Sequence, residues 1–195
     1  MVFIQVPASH PHWHHPAQLE KHIKPEVYYW LTRPGALTSG LREIGPLCLS
    51  INREYDDVLG EDEAALMGCR TGAAVWAREI TIAVSGQPCM VARSVCLRAD
   101  STGTWQAIRD LGTQPLADIL YHDPAVSRGP FFICLPVNPQ PIFAAVSHAL
   151  TQEAAPAQMT ENLKARSSVF WRAEHPLLVS ECFLPAFWTL IRPQS

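Results

Sequence analysis

Three charged residues, Arg78, Arg93 and Glu181, fall on faces that are otherwise apolar in strand-like segments. In residues 74–84, AVWAREITIAV, the period of two sets Arg78 among Trp76, Ile80, Ile82 and Val84. In 89–97, CMVARSVCL, it sets Arg93 among Val91, Val95 and Leu97. In 177–184, LLVSECFL, it sets Glu181 among Leu177, Val179 and Phe183. Burying an unpaired charge costs several kcal/mol, so inward charges imply partners. Either they form an internal salt-bridge network or they hold a polar ligand.

The two long strands at 74–84 and 88–98 join at Ser85-Gly86-Gln87-Pro88, a strong hairpin signal. A two-residue loop pairs Val84 with Gln87 and a four-residue loop pairs Val84 with Cys89. Both registers place Arg78 and Arg93 on one face, where like charges repel unless an anion lies between them. Arginine suits such a site because its planar fork binds carboxylates bidentately and stays charged when desolvated. Glu181, desolvated among apolar neighbours, is then a candidate hydrogen-bond acceptor or general acid–base.

Composition removes several classes. The 195 residues suffice for one domain with a real core, at 48% hydrophobic and 17% charged. A formal charge of −3 leaves no basic footprint for nucleic acid. No apolar run is long enough to cross a bilayer, and MVFIQVPASHPHWHHP lacks the basic start and long apolar stretch of a signal peptide. Six scattered cysteines without CxxC spacing read as reduced thiols of a cytoplasmic protein. The cluster His10, His12, His14 and His15 is metal-like in spacing, but it lies in a proline-broken terminal stretch that cannot preorganise ligands. Nucleophile-elbow, dinucleotide and phosphate-loop motifs are absent, so no cofactor is expected.

The remaining pattern describes one domain over 1–195. Residues 1–17 read as a loose tail, 18–31 as helical with Pro25 opening a second helix, and 36–44 as a short helix. A strand follows at 47–55, then an acidic loop or short surface helix at 56–68 and the long hairpin. Short helices at 104–111 and 115–121 precede a short strand at 130–136. Residues 137–165 hold a weak helix and read as an insertion. A closing hairpin over 167–173 and 177–184 turns around Glu174-His175-Pro176. Hairpin connections of this kind imply an α+β fold, a mostly antiparallel sheet with helices on one face. No heptad or obvious apolar patch appears, so a monomer is expected.

Several segments carry a resemblance to a known family. WLTRPGALT at 30–38, WAREITIAVSGQP at 76–88, ARSVCL at 92–97, LGTQPLADILY at 111–121 and PLLVSECFLPA at 176–186 are similar, in order and spacing, to the bacterial chorismate–pyruvate lyases that open ubiquinone biosynthesis. The resemblance implies a six-stranded antiparallel sheet with an internal ligand cavity. It implies conversion of chorismate to 4-hydroxybenzoate and pyruvate without cofactor or metal. Carried over residue by residue, it makes Arg78 and Arg93 the binding arginines and Glu181 the acidic residue. It makes Leu116 a backbone contact and Leu37 a contact on an early flap, with Arg78 and Glu181 as the catalytic pair. Ser39 and Gly40 stand where a basic pair is usual, and Ala92 where glycine is common. The alternative of another class is a non-catalytic module of the same fold that binds an aromatic acid or effector, as in some transcription regulators. The absence of a basic DNA-binding segment weighs against it.

Overall fold

A computed structural model describes residues 11–152 and 163–192. Its backbone order is α1 (Pro16–Leu19), α2 (Pro25–Thr32), α3 (Leu37–Ile44), β1 (Leu47–Val58), α4 (Glu61–Met67), β2 (Ala74–Val84) and β3 (Gln87–Leu97). Two 3₁₀ turns, Asp100–Thr102 and Gln106–Ile108, lead to α5 (Ala117–Leu120), β4 (Val126–Arg128) and β5 (Phe132–Cys134). The chain ends with α6 (Pro141–Gln152), β6 (Lys164–Arg172), β7 (His175–Phe183) and α7 (Pro185–Leu190). Every strand pairing is antiparallel, in the order β1-β2-β3-β7-β6-β4, and β5 also pairs with β6. The sheet therefore has seven strands, one more than the resemblance implied. β4 and β5 are short and share the outer edge of β6, one at each end of it.

The central hairpin is built as its turn chemistry dictates, and then departs from it. Ser85 and Gly86 both have positive φ, 51° and 80°, as a tight two-residue turn requires, and Val84 pairs with Gln87. Ala83 pairs with Pro88, but the next pair is Ile82 with Met90, so Cys89 is an extra residue in β3. Such a bulge shifts the register by one and exchanges the faces of everything beyond it. Arg78 therefore stands opposite Ser94, and Arg93 opposite Glu79. The expectation that Arg78 and Arg93 share a face is corrected: they lie on opposite sides of the sheet.

Both faces are covered, so the helices do not all lie on one side. On one face Ala77, Val91, Val95, Leu178 and Cys182 pack against Ala64, Leu66 and Met67 of α4 and Ala145, Val146 and Ala149 of α6. On the other, Ile80, Ile82, Ala92 and Phe183 pack against Val27, Trp30 and Leu31 of α2 and Leu37 and Leu41 of α3. Trp76, Cys96 and Phe170 extend that second face under Trp105, Ile108, Leu116 and Leu120. Leu41 is completely buried, and truncating such a leucine to alanine costs about 2–5 kcal/mol. Gly40 lies against the Arg33 guanidinium, where an added Cβ would come within 2.6 Å of Nε. A side chain there would oblige the Arg33 guanidinium to shift.

Several local expectations change. Residues 11–17 are not loose: Trp13 is buried in the core, His14 forms an antiparallel bridge with Ile133, and His15 caps α1. His10, with the rest of 1–10, lies outside the described residues. The segment expected as an insertion supplies α6, whose Ile142, Val146 and Leu150 are core residues; 153–162 lie outside the described residues. The acidic segment takes the helical alternative as α4, with Glu61, Asp62 and Glu63 in its first turn, where the helix dipole favours them, but Ala64, Leu66 and Met67 are core residues and not surface ones. The closing hairpin turns at Ala173-Glu174, with His175 already paired to Arg172.

Candidate functional site

The register sets two neighbouring rows of side chains across the middle of the sheet. One runs Arg78, Ser94, Val179, Ser168 from β2 through β3 and β7 to β6; the other runs Ile80, Ala92, Glu181, Arg166. All eight line one cavity of about 60 Å³. Small residues, Ala92 and Ser94 on β3 and Ser168 on β6, leave the space, and Arg78 and Arg166 stand at diagonally opposite ends of the two rows. Leu37 and Thr38 of α3 and Leu116, Ala117 and Leu120 around α5 close it from above, with Tyr121, Phe131 and Phe170 at the side. The Tyr121 hydroxyl donates to the Gly35 carbonyl at 2.9 Å, tying the end of α5 to the turn before α3.

Arg78 is 1% exposed. Its Nε donates to Glu54 Oε1 at 3.0 Å and its Nη2 to the Gly112 carbonyl, while Nη1 has no hydrogen bond among the described residues. Burial lowers its pKa from the ordinary arginine value, with Glu54 opposing that shift. Glu181 receives a 2.7 Å hydrogen bond from Arg166 Nε, directly across the β6–β7 ladder. Arg166 is also buried and donates through Nη1 to the carbonyls of Trp30 and Arg33 at the end of α2. Its Nη2 has no hydrogen bond among the described residues, and its guanidinium lies 4.5 Å from the Phe131 ring centre. Thr38 is 7% exposed, and its hydroxyl has no hydrogen-bond partner among the described residues.

Of the five residues singled out from sequence, Arg78, Glu181, Leu37 and Leu116 line this cavity; Arg93 does not. On the opposite face Arg93 donates to Glu63 (2.8 Å), Glu79 (2.9 Å), Asp57 (2.9 Å) and the Tyr55 hydroxyl (2.7 Å). Arg53 adds a second cation, with Nε at 2.6 Å from Glu79. Burial alone would lower the Arg93 pKa, but Glu63, Tyr55 and Glu79 together hold it above the ordinary value. Burial pushes the Tyr55 phenol up to about 12 against the pull of Arg93. For Arg93 the salt-bridge alternative is the one realised, and no exogenous anion is needed there.

Arg166 and Thr38 are the residues that sequence reasoning missed. A signal existed for Arg166: continuing the period-two pattern of β6 back one residue sets it opposite Glu181. The other candidate groups are dispersed. His12 meets Asp62 at 3.1 Å, and His15 caps α1. Among the described residues no three histidine, cysteine or carboxylate side chains converge as a metal site. All six cysteines are free. Burial raises the pKa of Cys96 to about 12 and that of Cys182 further, which keeps both thiols protonated and unreactive at neutral pH.

A cavity lined by two buried arginines, one glutamate and apolar side chains fits a small anionic molecule with a flat apolar body. Comparisons with known proteins agree with that frame. The chorismate lyase family profile matches residues 8–192. The chain is 47% identical over 171 residues to a probable chorismate pyruvate-lyase of Bordetella pertussis, covering 87% of each chain, and 42% identical over 166 residues to one of Bordetella avium, covering 85% and 80%. Among solved structures, the ligand-binding domain of a putative GntR-family transcriptional regulator from Bordetella bronchiseptica superposes with a TM-score of 0.51 at 12% identity, over 72% of this chain and 86% of that one. That last likeness speaks for the fold alone. Match and identity together cover most of the sequence: the chain belongs to the chorismate lyase family.

Proposed function

We propose that this protein converts chorismate to 4-hydroxybenzoate and pyruvate in the cavity between the sheet and the α3 and α5 segments. The observation that carries the reading is that Arg78 and Glu181, two strands apart on one sheet face, line the same largely apolar cavity. Arg78 holds the ring carboxylate through its unengaged Nη1. Glu181 faces the C4 end of the ring. Loss of the C4 proton and breakage of the C3–oxygen bond expel enolpyruvate and make the ring aromatic. The departing oxygen takes a proton and ketonises to pyruvate. Glu181, the only carboxylate on this lining among the described residues, handles the proton at C4 or holds the adjacent hydroxyl. Leu37 and Leu116 enclose the ring and keep water out, which strengthens the charged contacts. Aromatisation supplies the driving force, so the elimination calls for no redox partner or cofactor. The product would feed ubiquinone biosynthesis, in keeping with the family resemblance.

A dry cavity of roughly 150 Å³ admits a benzene ring, so the present 60 Å³ implies that the α3 and α5 segments part to admit substrate. The Tyr121–Gly35 hydrogen bond is one contact that must break. Product release is therefore the expected slow step. The test is incubation of the purified protein with chorismate in metal-free buffer, following 4-hydroxybenzoate by chromatography. Steady formation supports the reading, and no product at high enzyme concentration overturns it. Binding of 4-hydroxybenzoate without turnover would instead identify an aromatic-acid-binding module.

A further inference from the structure

The family resemblance offered Arg93 as the second arginine for a substrate with two carboxylates, and the structure removes Arg93 from the cavity. Another cation stands there. Arg166 is 2% exposed, lines the cavity, and sits beside Glu181 at the end far from Arg78. β2 and β6 are three strand spacings apart, about 14 Å at ~4.8 Å per strand, so the two guanidinium groups approach a ligand from opposite ends. Each keeps one amino group without a hydrogen bond among the described residues, Nη1 of Arg78 and Nη2 of Arg166.

We propose that Arg166 binds the enolpyruvyl carboxylate of the substrate, an assignment that rests on the lyase reading. In chorismate the ring carboxylate is para to C4, and the enolpyruvyl ether is on C3, next to C4. With the ring carboxylate at Arg78 and the C4 hydroxyl at Glu181, the enolpyruvyl group must lie on the Glu181 side, within reach of the arginine adjoining that carboxylate. Arg166 is held ready for this. Nε fixes it to Glu181, and Nη1 fixes it to the Trp30 and Arg33 carbonyls, so its orientation is set before substrate arrives. The Phe131 ring beneath the guanidinium leaves its edge for the ligand. A second consequence follows. The product 4-hydroxybenzoate retains only the ring carboxylate, so once pyruvate departs Arg166 has no ligand anion to bind. Arg78 recognises both substrate and product; Arg166 discriminates between them.

The test compares Arg166→Gln and Arg166→Lys with the unaltered protein, reading chorismate kcat/KM and 4-hydroxybenzoate affinity on the same preparations, with thermal melting to show that each folds. Loss of a buried charge-assisted carboxylate contact should lower kcat/KM of Arg166→Gln by at least about 30-fold. The 4-hydroxybenzoate Kd should change far less than chorismate kcat/KM, because that ligand lacks the contacted carboxylate and feels only the lost Arg166–Glu181 hydrogen bond. Arg166→Lys, which keeps the charge but loses the fork, should fall between, even if the glutamine variant melts early. Equal losses for substrate and product, or unchanged kinetics in both variants, would overturn the assignment. If the unaltered protein does not turn chorismate over, the lyase reading fails separately. Chorismate binding by calorimetry then still reads Arg166: selective loss in the variants supports it, and equal or absent loss overturns it.

Discussion

Arg93 stands directly across the β2–β3 ladder from Glu79, and its Nη1 donates to Glu79 Oε1 at 2.9 Å. The pair anchors a cluster of two arginines and three carboxylates on the sheet face away from the cavity. Removing the central cation strands Glu63, almost fully buried, without the charge that offsets its desolvation, and leaves the buried Glu79 with Arg53 alone.

Arg93→Met should therefore act on stability rather than on ligand binding. The expected loss in urea unfolding is about 3–5 kcal/mol, the usual cost of breaking one side of a buried ion pair. In protein that remains folded, 4-hydroxybenzoate affinity should stay within about twofold of normal, since Arg93 does not touch the cavity. A large loss of affinity with unchanged stability would contradict this placement.

Arg78→Ala should show the converse. Its partner Glu54 is 29% exposed and can rehydrate when the arginine is lost, so the melting temperature should fall less than for Arg93→Met. Chorismate kcat/KM should fall well over tenfold, because the ring carboxylate loses its charge-assisted contact. Near-normal kinetics would remove Arg78 from the site.

Thr38 carries a buried hydroxyl with no hydrogen bond among the described residues. Such a group costs stability unless a ligand engages it. Thr38→Val should leave stability unchanged or raise it by up to about 1 kcal/mol, while weakening 4-hydroxybenzoate or chorismate binding. Melting and titration on the same sample read both effects; a destabilised variant with unchanged affinity would speak against a ligand contact.

The Tyr55 phenol gives a pH dependence of definite sign. Its pKa rises from 10.0 to about 12 on folding, so below pH 10 its contribution to stability is fully present and does not change with pH. As the pH climbs from 10 towards 12 the unfolded chain loses the proton first, and the stability associated with the neutral phenol is lost. Unfolding free energy should fall across that window, and Tyr55→Phe should fall less steeply. Parallel curves for the two proteins would show that Tyr55 titrates normally.

Much of this was legible from residue order, and the gaps have specific causes. Within each strand the period of two assigned faces correctly: Arg78 does lie with Ile80 and Ile82, and Glu181 with Val179 and Phe183. What sequence could not supply was the relation between strands, because one extra residue at Cys89 reverses it. The turn residues Ser85 and Gly86 announce the hairpin, but nothing in the apolar run CMVA marks a bulge. Arg166 escaped notice because Ser167 and Ser168 interrupt the hydrophobic alternation at the start of β6, although both are buried in the structure. α6 reads from sequence as only a weak helix because its small residues, such as Ala145 and Ala149, carry little amphipathic signal; in the structure they pack on the sheet. The cavity itself was visible only as inward charge.

The most direct measurement is the stoichiometry of the reaction. Purified protein and its Glu181→Gln variant are incubated with chorismate, and 4-hydroxybenzoate and pyruvate are quantified together. Equimolar products are expected from the unaltered protein, and a rate at least about 100-fold lower from Glu181→Gln, the scale of losing a positioned proton-transfer group. Absence of 4-hydroxybenzoate, products in unequal amounts, or an unimpaired Glu181→Gln variant would contradict it.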